Sequence, residues 1–576
     1  SRGLGDVYKR QAWTLKYAED LESSMDSDQK ARLLKIQEKI TCAISSVISV
    51  ATYRFQFETK IRPRIRKLID ARTHVFAQSN NKHSLQAFDQ LIDFIESFAS
   101  REVLEVLRSN RSPRNTNQQV VNKANYLVDV PIEKVKASTS VAEPETNQVL
   151  EHASSSEIMD FAPVAEYASS DTAEFEANAA FARQEDERYW LDNPLKIRDS
   201  FQSPSQRARQ LTMADSQAMI VRFAQVQGTG GTKIIAFWWF RGESGVTTLG
   251  NKANSLVTEF LSPNQPYANR FHVDVKDSNA NTRIPKRSTA EDLWHGFIAP
   301  VLDDIAFRES LSKSWKIRSL TIVLEPGLYH LPLNFSWVDP MRQDRFASGR
   351  SNAPLAMTCD LAFSLNLSAH LLEGRRDYGI CRRISDDELF VLHHCPKNSF
   401  EGDNKMTLID KAVKKWDPNG VAGKLYRSAK RNEIVTCLNA RPEYLMLACH
   451  GGLGQSGSFL EFNECHLVSA NLAYSVALNG NRLLVLGACD SATPTLDSYG
   501  QFIGAFIAAG AGAVLANPCR SPIFTICKQA AKLFDEISGS NQSDQSVDLA
   551  KSLAAAARAL SGSYPAKLKQ DDKMLY

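Results

Sequence analysis

The 576-residue chain has no apolar stretch of the roughly 18–20 residues that a membrane-spanning helix needs, so no membrane span is expected. It has no excess of one charge: 68 Lys and Arg stand against 65 Asp and Glu, a net +3. That balance gives no global case for nucleic acid or an anionic surface as partner. The local cluster KIRPRIRK at 60–67 reads as a solvated helix face. Ten cysteines are scattered without a CxxC pair or the spacing of a small disulfide framework. Free thiols in a reducing compartment, and hence a cytoplasmic location, are the expectation. Cys465–His466 and His393–His394–Cys395 lack a second ligand pair at zinc spacing, and GTGGT (228–232) lacks a P-loop pattern. No metal or organic cofactor is therefore expected.

Hydrophobic residues at 43% and charged residues at 23% are ordinary for globular proteins. The length suggests about two to four domains. SRGLGDVYKRQ (1–11) resembles adapter-derived, non-native sequence, which would leave the true N-terminus missing, and it is left out of fold reasoning. Residues 12–110 have few breakers and a period near 3.6; in FIESFASREVLEVLR, Ile95, Phe98, Val103, Val106 and Leu107 can share a face. This predicts a helical region. Residues 111–170 are rich in Ser, Asn, Gln, Pro and Glu, and read as a flexible linker or insertion. Residues 171–576, with a core from about 206, have α/β texture.

In that segment AMIVRFAQV (218–226) and KIIAFWWFR (233–241) flank GTGGT as an expected antiparallel hairpin. Strands are predicted at 319–324, 388–393, 444–447, 483–486 and 513–516, with helices at 291–305, 428–438 and 501–511. The alternation implies a mostly parallel sheet flanked by helices. Two runs, YLMLACHGG (444–452) and RLLVLGACDSA (482–492), end at residues able to do chemistry, His450 and Cys489. Reactive groups in such sheets collect beyond the carboxyl ends of strands. An imidazole and a thiol there suggest a cysteine nucleophile with its proton-transfer partner. Taken singly, each residue reads more simply as a strand-end histidine or a buried small thiol. Gly451 and Gly452 leave room for a bound peptide. The backbone N–H groups of Gly451 and Cys489 are candidate oxyanion donors. Asp490 is a candidate either for the substrate pocket or for capping a following helix. Asp497 and Glu461 are weaker candidates for reading substrate charge.

The order His before Cys agrees with the caspase arrangement. From about residue 206 the chain resembles the CHAT domain, a caspase-like cysteine-peptidase fold related to separase. The resemblance rests on SLTIVLEPGLYHLPLN (319–334), LACHGG, LLVLGACDSA and FIGAFIAAGAGAVLANP (502–518), in the family's order. Phe94–Arg108 looks like the helix that closes a tetratricopeptide array ahead of such a domain. The sequence departs from the family at Gly487, where serine is usual, and at Cys519 and Arg520, where Trp-Pro is frequent. The resemblance implies His450 as general acid/base, Cys489 as nucleophile, and a protein or peptide substrate. It also implies a regulatory protein partner at the helical region. The alternative from another class is an inactive CHAT-like scaffold or interaction module, and a thiol acyltransferase is a weaker third reading.

Overall fold

The computed structural model describes residues 69–76 in part, 85–96, 127–129, 203–261, 272–308, 315–367, 389–394, 425–468, 472–488 in part, 501–516 and 529–561 in part, with short gaps inside several of these ranges. They divide into two compact units, the first drawn from Ser1–Glu102, Glu157–Arg207 and Val226–Lys233, the second from Val103–Ser156, Ala208–Gln225 and Ile234–Tyr576.

The first unit contains helix α1 (Leu85–Glu96), which buries Phe88, Leu91, Ile92 and Ile95 at helical spacing. Of the face expected over 95–107, Ile95 lies in this helix and is buried; Phe98, Val103, Val106 and Leu107 lie outside the described residues. On α1, Asp93 accepts a hydrogen bond from Ser203 Oγ at 2.7 Å. Burial raises the Asp93 carboxyl above its ordinary value, more than the hydrogen bonds from Ser203 and the Ser205 backbone lower it.

In the second unit, strand β1 (Leu127–Asp129) falls within the stretch read as a linker. In chain order α2 (Pro204–Ala214), β2 (Ala218–Gly228), β3 (Gly231–Phe240), β4 (Glu243–Thr248) and α3 (Asn251–Leu261) follow, with the start of α2 up to Arg207 and the facing ends of β2 and β3 within Val226–Lys233 counted in the first unit. Only two residues separate β2 from its sheet neighbour β3, and so short a link permits only antiparallel pairing, as the hairpin reading required. A ribbon of β5 (His272–Asp277) and β6 (Ala280–Pro285) leads into α4 (Arg287–Leu293) and α5 (Ala299–Phe307).

Sequence periodicity predicts one helix across 291–305; the helix instead runs through a π turn at Trp294–Ile298. Pro300 explains it: without an N–H, proline cannot bond back to Gly296, and the Ala299 N–H reaches the Trp294 carbonyl five residues earlier.

β7 (Ser319–Leu324) and β8 (Asp360–Ser364) complete a five-stranded mixed sheet of order β4-β3-β2-β7-β8, in which β2, β7 and β8 are parallel. Trp238, Trp294, Phe297, Trp315, Leu328, Leu331 and Leu333 are among the residues of its core. The motif EPGLYHLPLN therefore supplies packing, through those three leucines. It also supplies a buried pair, Glu325 with Arg222 at 3.7 Å, in which Glu325 further accepts from the Gln225 N–H at 3.0 Å.

The second sheet holds β9 (Leu389–His393), β10 (Leu425–Arg427), β11 (Tyr444–Ala448), β15 (Leu483–Gly487) and β16 (Val514–Leu515), in the order β10-β9-β11-β15-β16, parallel throughout. Helices α6 (Arg431–Ala440) and α7 (Gln501–Ala509) belong to this half, while α8 (Leu549–Ser561) packs against β8 of the first sheet and puts Ala556 into the core of the second. A third, antiparallel sheet follows β11: β12 (His450–Gly454), β13 (Gly457–Phe462) and β14 (Cys465–Val468), edged by β1. The α/β class with a parallel sheet flanked by helices is as the sequence reads. Three hairpin-connected strands after His450 are additional to it. Among the described residues no helix is long and apolar enough to cross a membrane.

Two outcomes follow. A Cβ on Gly512, in the turn before β16, would sit 2.9 Å from the Arg482 carbonyl oxygen and 3.1 Å from that of Asn481. Because these are backbone atoms, Gly512→Ala is expected to cost about 1–3 kcal/mol in chemical denaturation. Gly250→Ala, with open space around it, stays within about 0.5 kcal/mol of wild type. The second concerns Asp93. Its folded pKa is raised, so its contribution to stability is fully present below the unfolded value of 3.8 and is lost as pH rises through the folded value. Thermal melts should therefore show a smaller loss of stability between pH 4 and 7 in Asp93→Asn than in wild type.

Candidate active site

Strands β11 and β15 lie side by side and run in the same direction, with Tyr444 opposite Leu483 and Ala448 opposite Gly487. Both are buried along their whole length. At their starting ends, the Arg482 N–H donates to the Glu443 carbonyl at 2.7 Å, and the two side chains form an ion pair at 2.7 Å. Beside them Asn481 Nδ2 donates to the Pro442 carbonyl at 2.8 Å. At the finishing ends the Cys449 N–H donates to the Gly487 carbonyl at 3.3 Å. Gly487 is a place of close approach: a Cβ there would lie 3.3 Å from Ala448 Cα and from the Leu447 oxygen.

His450 stands two residues beyond Ala448. Cys449 forms a bend between them and is buried in the core with Leu445 and Leu447, while His450 is partly exposed and opens β12. Gly451 and Gly452 continue β12, Gly451 opposite the buried Leu460 and Gly452 opposite Phe459. On the neighbouring strand the described residues end at Ala488, which is buried. Cys489, Asp490 and Asp497 lie outside the described residues, as do Cys519 and Arg520. The finishing end of β9 lies on the other side of β11, where the His394 N–H donates to the Ala448 carbonyl at 3.0 Å.

The β12–β14 sheet sorts its side chains cleanly. Leu460, Phe462, Cys465 and Leu467 enter the core shared with β11 and β15, and the residues between them, Glu461 and His466, are partly exposed. Cys465 and His466, adjacent in sequence, thus face opposite ways, as alternation along a strand demands. Among the described residues no group of three potential ligands is placed to hold a metal. Burial pushes the His466 imidazole below its ordinary value, while the Glu461 carboxylate pulls it up. The pairing of Glu461 with His450 is the feature sequence reasoning missed. HGGLG has three glycines in five residues and none of the alternation that marks a strand, so the hairpin that carries Glu461 back to His450 left little signal.

Residues 287–534 match the family model described as the CHAT domain, and the stretch contains His450, Cys489 and both strands that lead to them. No curated protein matches the chain. Among solved structures, the chain is similar to separase in two Saccharomyces cerevisiae separase–securin complexes. Identities are 11% and 10%, with 96% of this chain covered and TM-scores of 0.43 and 0.42. The match spans only 38% and 39% of the separase chains' own length. It is also similar to the Arg-specific cysteine proteinase gingipain R, at 10% identity over 49% of this chain and 66% of that one, TM-score 0.31. Likenesses this distant carry no weight for function. Over residues 287–534, the chain is similar to the CHAT domain family.

Proposed function

We propose that this chain is a cysteine endopeptidase of caspase-like type, acting through Cys489 and His450. The supporting observation is the register of β11 and β15: with Ala448 opposite Gly487, the second residue beyond one strand is His450 and the second beyond the other is Cys489. A thiol with an ordinary pKa near 8.5 needs a base to become a nucleophile at neutral pH, and an imidazole at the neighbouring strand end is suited to that task.

In this reading His450 takes the Cys489 proton and the thiolate attacks the peptide carbonyl. The oxyanion is stabilised by the Gly451 and Cys489 N–H groups. His450 then delivers its proton to the leaving amine. A water, deprotonated by the same imidazole, releases the acid from the thioacyl intermediate and restores the thiol. Gly452 leaves room for the peptide backbone, and Asp490 and Asp497 are the candidates for selecting side chains next to the cleaved bond. The order of segments, helices first and CHAT domain after, supports regulation by a protein partner at the helical region.

The test is cleavage of a fluorogenic peptide library by the purified full chain. Cys489→Ala and His450→Ala should each lower kcat/KM by at least about 10³-fold, with folding intact by circular dichroism. Product mass is expected to show a free carboxylate. A new amide linkage would indicate acyl transfer instead. Absence of cleavage under all conditions, with partner binding retained, would make the chain a scaffold.

A further inference from the structure

His450, Glu461 and His466 form one row across three antiparallel strands. His450 of β12 is the register partner of Glu461 of β13, and Glu461 is the partner of His466 of β14. Directly opposed residues in such a sheet share a face, with Cβ atoms about 4.5–5.5 Å apart. The row lies on the partly exposed face, since the alternating residues Leu460, Phe462, Cys465 and Leu467 are all in the core. At its far side the His466 ring is stacked on Phe459, 4.4 Å between centroids and 14° from parallel, and the next position is Val128. Helix α7 packs against β13 and carries no ionisable side chain. Among the described residues, His394 at the finishing end of β9 is another titratable group beside β11; Cys489 lies outside them. One acid is thus placed between two imidazoles.

We propose that Glu461 is the positioning residue of His450. Its carboxylate accepts a hydrogen bond from the ring N–H that faces away from the thiol, and leaves the other ring nitrogen to exchange a proton with Cys489. The inference rests on the dyad reading above and adds its third member. A carboxylate in that place selects one imidazole tautomer and favours the imidazolium form, which in turn favours the thiolate. Glu461 thereby changes role, from a reader of substrate charge to a group that acts through His450. Glu461 has His466 on one side, itself stacked on Phe459, and His450 on the other.

The experiment uses the full chain with histidine rings labelled in ¹³C, in wild type, Glu461→Gln and Glu461→Asp, with His450→Ala assigning the resonance. Each protein is titrated by NMR, and alkylation of Cys489 by iodoacetamide is followed across pH. Glu461→Gln is the same size and is expected to lower the His450 midpoint by about one pH unit, and to raise the midpoint of Cys489 alkylation correspondingly. Glu461→Asp should recover part of both shifts. An unmoved His450 midpoint in Glu461→Gln overturns the proposal. Neither readout needs a substrate. If Glu461→Gln moves both midpoints while the wild type cleaves no peptide, the positioning role stands and the peptidase reading fails.

Discussion

The parallel pairing of β11 with β15 is the constraint on which everything at the candidate site depends. In a sheet with one wet face, a register slip is penalised because it exposes apolar side chains. That penalty is missing here. Leu445 and Leu447 of β11 enter one core and Tyr444, Met446 and Ala448 enter the other; Leu484 and Leu486 of β15 oppose Leu483 and Val485 in the same way. A one-residue slip would exchange apolar for apolar. Polar contacts at the strand ends must therefore hold the register, and they do so at both ends. The Arg482–Glu443 ion pair and Asn481–Pro442 hold the start, and the Cys449–Gly487 hydrogen bond holds the finish. Buried in part, with exposures of 14% and 32%, the ion pair matters less for its energy than for the alignment it specifies.

From that alignment the chain makes a single bend at Cys449 and enters a different sheet. Cys449 is 2% exposed and packs with the parallel strands, whereas His450 is already paired with Glu461. The bend is anchored on both sides: by the parallel strands behind it, and by Leu460, Phe462, Cys465 and Leu467 of the antiparallel sheet, which share the same core. An imidazole placed this way has its backbone fixed by two sheets. Such support on rigid elements is what a proton-transfer group needs, since a misplacement of about 1 Å can cost 10²-fold in rate.

Much of this was legible in sequence because apolar runs mark buried strands. YLML, LLVL, SLTIVL and LFVLH are strands where the pattern places them, and the strand-turn-strand at 218–240 is a hairpin. Legibility failed where composition argued against structure. HGGLG and GSFLEF are glycine-bearing segments whose strand character comes from pairing with each other and with CHLV, and pairing between segments leaves no local mark. The π turn at Trp294–Ile298 was visible only as Pro300, which signals a lost hydrogen bond without saying how the helix absorbs it. At the site itself, the residue type and spacing singled out His450, but its cross-strand neighbour could only be assigned once the register was known.

The CHAT motifs divide by physical role, and the division bears on what a family match can mean. In SLTIVLEPGLYHLPLN, the strand pairs in parallel with β2, Leu328, Leu331 and Leu333 fill a core, and Glu325 pairs with a buried arginine and accepts from a backbone N–H. In FIGAFIAAGAGAVL, Phe502, Phe506 and Ala509 pack against the parallel strands, and Gly512 lets the chain pass tightly beside Arg482. None of these residues needs to touch a substrate; all of them build the frame. A chain could keep every one and match the family as well while doing no chemistry. Under the proposed dyad, the burden of function falls instead on the few positions just past the ends of β11 and β15. Residue 461, by contrast, lies outside that packed core, on the sheet face it shares with His450.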